Sequence, residues 1–312
     1  IIGGIIGIYM AYHNYNVWAL VGQNISSTGS MAILFFYYTK WKPSFHFSSQ
    51  SFNSLFRFGS KLLITGTVAT IFNNITTIAI GKLYKSNELG FYTRASQFTE
   101  MIAWTINDVT FPVLSELQKQ PERMIDIYKK SLFYSSLVTF PIMILLAVLA
   151  KPLVTILLTE KWLPCVPLIQ ILCFARMLTP LSAINMNLLN AIGRPDLFMK
   201  VDLSKIPFEL IILIITIPMG VKAIVIGNLI STIICFFINT YYPQKIFGYG
   251  GIQQLKDSFK IFIALIFMSA TSYISTLVFE NPIAKLIIGG IVGIIIYLIS
   301  CCLLYTSPSP RD

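Results

Sequence analysis

Apolar runs recur along nearly the whole chain, broken by short polar stretches of Asn, Gly, Pro and charged residues. An α-helix rises about 1.5 Å per residue, so roughly 20 apolar residues cross a hydrocarbon core of about 30 Å. Ten runs approach or reach that length: about 1–13, 17–39, 56–82, 88–117, 126–158, 164–192, 196–219, 221–243, 257–280 and 282–304. The spacing predicts an all-α polytopic membrane bundle. Turns such as His13-Asn14-Tyr15-Asn16 and Glu280-Asn281-Pro282 are short enough to make sequential helices antiparallel neighbours.

Composition agrees with the pattern. Charged residues make up 12% and hydrophobic ones 55%, with a mean hydropathy of +0.72, whereas soluble domains carry about 25% charge. A soluble enzyme is excluded. The net charge of +10 does not imply nucleic acid, because the cations sit in loops and alternate between crowded and sparse. One set of ends holds Lys40, Lys42, Arg57, Lys61, Lys119, Arg123, Lys129, Lys130, Arg194, Lys200, Lys205, Lys245, Lys256 and Lys260; the other holds Lys82, Lys85, Lys151, Lys161, Lys222 and Lys285. The positive-inside rule places the richer set in the cytoplasm, facing anionic lipid headgroups. Trp41, Trp162, Tyr241 and Tyr242 fall at segment ends, where aromatic belts are expected. Cys165, Cys173, Cys235, Cys301 and Cys302 show no metal-ligand spacing and read as small apolar packing residues. No GxxxxGK[ST] motif occurs, so this chain has no phosphate-binding loop for ATP hydrolysis.

The fourth segment is too polar to face lipid all round. At 100° per residue, Arg94, Gln97, Glu100, Trp104, Thr105, Asn107 and Asp108 share one half of the helix, while Phe91, Ala95, Phe98, Ile102, Ile106 and Val109 share the other. A charge at mid-membrane costs at least about 2.5–3.5 kcal/mol, so Arg94, Glu100 and Asp108 need partners or a wet cavity. They either pair among themselves as a structural cluster or serve a ligand and a coupling ion, with Glu100 and Asp108 as the ion-coupling candidates. In the third segment, Gly59, Gly66, Thr70, Asn73 and Thr77 line one face, with Asn74 beside it. That stripe suits close helix packing or, through Asn73 and Asn74, a cavity wall. The sixth segment aligns Cys173, Arg176, Pro180, Ala183, Asn187 and Asn190, with Pro180 placed to bend the helix. Guanidinium groups hold phosphate bidentately, so Arg176 suits an anionic substrate. The substrate-binding candidates are Arg94, Arg176, Asn73, Asn74, Gln97 and Asn187. In the seventh segment Asp202, Lys205 and Glu209 are spaced so that Lys205 can pair with both acids.

Five strings carry a resemblance: LGFYTRA (89–95), FPVLSELQ (111–118), LLTEKWLPCVPLIQILCFA (157–175), NMNLLNAIGRPDLFMK (185–200) and FINTYYPQK (237–245). Together they resemble the polysaccharide transporters, the Wzx-type flippases, of the multidrug/oligosaccharidyl-lipid/polysaccharide exporter superfamily. The resemblance implies a MATE-like fold of two six-helix lobes around a central cavity, working by alternating access. The cargo it implies is an undecaprenyl-pyrophosphate-linked oligosaccharide crossing the bacterial inner membrane for lipopolysaccharide or exopolysaccharide synthesis, with membrane lipids and polysaccharide polymerase machinery as partners. It implies no cofactor beyond a coupling ion, H⁺ or Na⁺. On that map residues 1–43 are the last two helices of the first lobe, 44–247 the second lobe and 248–304 two extra helices. The chain opens at Ile1 without a methionine, and Cys302 to Asp312 (CLLYTSPSPRD) resembles a translated sequencing adapter; 302–312 is expected to be an adapter-derived tail whose start overlaps the last helix, with Thr306 to Asp312 making few contacts.

Two other function classes fit less well. A drug/cation antiporter of the same superfamily would need a cavity dominated by Glu100 and Asp108, with Arg94 neutralised. A membrane glycosyl polymerase or ligase would need a sizeable outer-face loop for sugars, and none is visible.

Overall fold

Inside a bilayer no water is available to backbone amides and carbonyls, so a chain this apolar must satisfy them within helices. The computed structural model describes residues 2–40, 48–49, 52–53, 56, 67, 70–72, 74–104 and 121–306, and among these there is no strand. The helices are α1 (Ile2–Tyr12), α2 (Val17–Thr39), α3 (Ile75–Leu83), α4 (Ser86–Trp104), α5 (Pro121–Val148), α6 (Ala150–Leu158) and α7 (Val166–Met177), followed by α8 (Thr179–Ala191), α9 (Pro195–Thr216), α10 (Val221–Asn239), α11 (Tyr241–Phe247), α12 (Gly251–Asp257), α13 (Phe259–Val278) and α14 (Pro282–Thr306). A 3₁₀ turn, Glu160–Cys165, joins α6 to α7.

Among the described residues, five helical stretches are long and apolar enough to cross a membrane: Glu122–Val148, Glu160–Ala191, Val221–Phe247, Phe259–Val278 and Pro282–Leu304. Ten were expected from the sequence. Of the remainder, α9 has the length but carries Asp196, Lys200, Asp202, Lys205 and Glu209, and α4 and α2 are diluted by polar side chains. The first segment forms an apolar helix of 11 residues, and most of the third lies outside the described residues. The fifth and sixth segments are each two helices, divided at Leu149 and Leu178. At the second division Pro180 sits in the first turn of α8, where its missing N–H costs nothing.

The chain divides into two compact units, Ile1–Thr70 and Ile71–Asp312. In the first, α1 and α2 form a hairpin turned by Asn14 and Asn16, both at positive φ (60° and 43°). Asparagine tolerates that region better than other non-glycine residues. Gly3 and Gly7, one turn apart, let α2 approach closely: a Cβ on Gly3 would stand 2.7 Å from the Gln23 carbonyl oxygen.

In the second unit α7 is central. It packs against α4, α5 and α10, and Leu168, Ile169, Leu172, Cys173, Ala175 and Met177 are all buried. α13 and α14 pair closely through Gly289 and Gly293, which face Ser275, Ser272 and Met268 of α13. α5 runs through Pro141, which has no N–H to give the Leu137 carbonyl four residues back. The Tyr297 hydroxyl of α14 donates to that carbonyl instead, at 2.8 Å. At one end of the unit the Tyr84 hydroxyl donates to the Ile217 carbonyl and accepts from the Gly220 amide, tying the α3–α4 turn to the α9–α10 turn. α14 continues to Thr306, and Leu304 packs against the core while its carbonyl accepts from Lys260. The helix thus overlaps the start of the adapter-like string, as its boundary was expected to; residues 307–312 lie outside the described residues.

Candidate functional site

The site forms where α4 crosses α7. Tyr92, Ala95, Ser96 and Thr99 are the buried residues of α4 here, and Phe91 and Phe98 pack against the core beside them. This face lies between the two halves expected from the sequence. Small side chains on it let α7 come close, and the Thr99 and Ser96 hydroxyls need no distant partner: Thr99 donates back to the carbonyls of its own helix and Ser96 donates to Glu100 at 2.8 Å.

Glu100 and Arg176 meet across this contact. Arg176 Nη2 donates to Glu100 Oε1 at 2.8 Å, the oxygen that Ser96 also engages. Arg176 lies at the middle of the Glu160–Ala191 stretch, about 15 Å along α7 from its start at a rise of about 1.5 Å per residue. Two opposite charges at that depth offset each other's desolvation. The arginine side chain is 22% exposed and the glutamate 42%, so the pair is reachable from one side. Arg176 Nε is buried and has no acceptor among the described residues. The guanidinium therefore holds unused donor capacity while its charge is matched.

Arg94 lies closer to the start of α4. Its Nη1 donates to Gln97 at 2.9 Å, and its guanidinium lies 5.8 Å from the ring centroid of Trp162 in the 3₁₀ turn. Trp162 is fixed by an edge-to-face contact with Phe91. Among the described residues no carboxylate lies within salt-bridge distance of Arg94. This stretch of α4 and the 3₁₀ turn thus present an arginine with no carboxylate partner among the described residues, and nearly two turns further along α4 an arginine whose charge is held by Glu100.

Of the residues singled out from the sequence, the structure brings Arg176 to Glu100 and Arg94 to Gln97. Asn187 on α8 is half-buried and makes no hydrogen bond to any of them. Asn74 is the exposed residue that precedes α3, with its carbonyl accepting from Ile78. Asn73 and Asp108 lie outside the described residues. Lys205 pairs with Asp202 at 2.6 Å and not with Glu209, whose carboxylate accepts from the Cys235 thiol at 3.4 Å. One turn of difference in direction, towards α10, takes Glu209 away.

Sequence reasoning missed a buried polar triad at the opposite end of the bundle from Tyr84. Tyr128 of α5 donates to Asn185 Oδ1 of α8 at 2.5 Å, and Gln254 of α12 donates to both, at 3.1 Å and 2.9 Å. Asn185 Nδ2 donates in return to Gln254 and to the Leu181 carbonyl. All three residues are buried. Beside them Tyr249 donates to Asp257 at 2.5 Å and takes the Lys129 ammonium over its ring. Burial and the Asp257 carboxylate push the Tyr249 phenol above its ordinary range. The stripe through Asn187 assumed one straight helix from Cys173 to Asn190. α7 and α8 are separate helices divided at Leu178, and on α8 Asn185 is fully buried while Asn187 is half-buried.

Comparisons with known proteins bear on these features. The sequence model described as "Polysaccharide biosynthesis protein" matches residues 1–167. An uncharacterised membrane protein of Methanocaldococcus jannaschii is 27% identical over 81% of this chain and 51% of its own. The teichuronic acid biosynthesis protein TuaB of Bacillus subtilis is 29% identical over 61% and 41%, and the lipopolysaccharide biosynthesis protein WzxC of Escherichia coli 24% over 70% and 47%. The chain spans about half the length of these relatives. Among solved structures, the lipid II flippase MurJ in an inward closed conformation superposes with a TM-score of 0.74 at 18% identity, covering 98% of this chain and 66% of that one. The chain is therefore a multi-pass membrane helix bundle with the MurJ fold, as the resemblance implied for its architecture.

Proposed function

This chain belongs to the polysaccharide biosynthesis protein family, and from that premise we propose that it is part of a transporter that moves a lipid-linked oligosaccharide across the cytoplasmic membrane. The observation that carries the reading is the Arg176–Glu100 pair, partly exposed at the middle of an apolar helical stretch and with a buried guanidinium Nε left without an acceptor among the described residues. A membrane-embedded ionisable residue is a functional site by default, and Arg recognises phosphate in a fixed fork. The cargo is a sugar chain on an undecaprenyl-pyrophosphate carrier. Coming from the cytoplasmic side, its diphosphate competes with Glu100 for Arg176 and then passes to Arg94, nearer the outer turns. Glu100 keeps the arginine charge matched while no cargo is bound and is the first candidate for coupling transport to H⁺ or Na⁺. Gln97, Asn73, Asn74 and Asn187 are assigned to the cavity wall, with Asp108 as a second coupling carboxylate. Movement is by alternating access and involves no covalent step, so the protein is a carrier rather than an enzyme.

The antiporter reading needs an acidic cavity with Arg94 neutralised. Glu100 is engaged by Arg176, and Arg94 meets no carboxylate among the described residues, which supports the anion-carrying reading. Complementation of polymer export by the full-length protein in a flippase-deficient strain tests it. Export restored by the wild type and lost with the Arg176→Ala, Glu100→Gln double variant at near-wild-type membrane abundance is the expected result; drug extrusion with no effect on export would overturn it.

A further inference from the structure

A second binding feature lies on α9 and α10, away from α4 and α7. These two helices touch at Gly227, where a Cβ would stand 2.9 Å from Thr216 and 3.0 Å from Ile212. Towards their other end they leave a cavity of about 570 Å³, within the range that holds a ligand. Its wall is Phe208, Ile234, Phe237 and Ile238, and its mouth carries Lys200, Ser204 and the tyrosines Tyr241 and Tyr242. The floor is fixed, because Val201 belongs to a small buried cluster with Met186, Leu189 and Leu197, against which Ile238 and Tyr242 pack.

The charges at the mouth decide what fits. Lys205 is neutralised by Asp202 at 2.6 Å, and Arg194 is held bidentately by Asp196 at 2.9 Å on both bonds. Lys200 lines the cavity and has no carboxylate within salt-bridge distance among the described residues. An unmatched cation at the end of an apolar groove that Tyr241 and Tyr242 also line is complementary to an anionic headgroup on a hydrocarbon chain. By charge bias this end faces the cytoplasm, where a basic residue near the surface attracts anionic lipid.

We propose that the groove between α9 and α10 is a site for a resident anionic phospholipid, its phosphate at Lys200 and one acyl chain along Phe208, Ile234 and Phe237. The occupant is a structural lipid and not the cargo. Cargo must reach the Arg176–Glu100 pair to cross, and no residue lining the groove comes from α4 or α7. A zwitterionic lipid would bring a second cation to a mouth that offers it no free carboxylate.

The test is native mass spectrometry of purified, delipidated protein back-titrated with phosphatidylglycerol or phosphatidylcholine in mixed micelles. Wild-type protein is expected to retain one phosphatidylglycerol and to bind phosphatidylcholine at least fivefold more weakly. Lys200→Glu should lower phosphatidylglycerol retention at least fivefold. Ser204→Trp, which fills the mouth and leaves Lys200 in place, should do the same with an unchanged melting temperature. Equal retention of the two lipids by the wild type, or undiminished phosphatidylglycerol on folded Lys200→Glu or Ser204→Trp protein, would overturn the proposal. The readout involves no transport, so it stands or falls apart from the carrier function.

Discussion

Tyr297 donates its hydroxyl to the Leu137 carbonyl at 2.8 Å, in the place of the amide that Pro141 lacks. The bond couples α14 to α5 and explains how a proline sits deep in a membrane helix without leaving a buried acceptor unpaired. Tyr297→Phe should lower stability by about 1–3 kcal/mol, the cost of orphaning a buried polar group. In a Pro141→Ala background the Leu137 carbonyl regains a helical donor, and the same substitution should then cost less than half as much. Thermal unfolding of the four proteins in detergent measures the coupling.

The ion pair separates a structural from a functional role. Arg176→Ala leaves Glu100 uncompensated, a loss of roughly 3–5 kcal/mol where a pair is fully buried and less here. Glu100→Gln added to it should restore membrane abundance to within about twofold of wild type, by removing the orphaned charge. Export should stay at least tenfold down in the double variant, because the cation is still missing. Recovery of export with abundance would mean that the pair only holds α4 to α7. Arg176→Lys should rescue in part, having charge without the planar fork.

The Tyr128–Asn185–Gln254 triad should lose stability non-additively. Asn185→Leu or Gln254→Leu alone each strands partners and should cost about 1–3 kcal/mol, while the double substitution should cost less than the sum. Urea or thermal unfolding of the single and double variants gives the comparison.

Close packing of α1 on α2 makes a sharper test with a built-in control. A Cβ at Gly3 would meet backbone 2.7 Å away, whereas at Gly4 it would meet nothing within 4 Å. Gly3→Ala should lower the melting temperature and Gly4→Ala should leave it unchanged or raise it, since alanine is the better helix former.

Orientation can be read by cysteine labelling of intact cells. An impermeant reagent should reach cysteines placed in the 83–88 and 159–163 turns and not those in the 118–130 or 244–256 segments, as the distribution of Lys and Arg requires. Strong labelling of 118–130 would reverse the assignment.

What the sequence determined by itself was the class and, among the described residues, the approximate placing of most helices and turns, because hydrophobic length and turn chemistry are local. The His13–Asn16 turn and the close of α13 before Pro282 fall where the residues place them. The resemblance carried the fold. Partner choice was another matter. A residue moves 100° around a helix at each step, and which of them finds a partner, as Asn185 finds Tyr128 and Gln254, depends on the helices packed against it. Likewise Glu100 meets Arg176 because α4 buries Tyr92, Ala95, Ser96 and Thr99 against α7, a rotation set by side-chain volume across the contact and invisible in either segment alone. Lys205 shows the same limit: both acids lie within helical reach, and only the packing of α9 on α10 gives Asp202 to the lysine and Glu209 to Cys235. Local periodicity fixes which residues form a helix; rotation and axial shift, which pair its charges, are set by packing between helices distant in sequence.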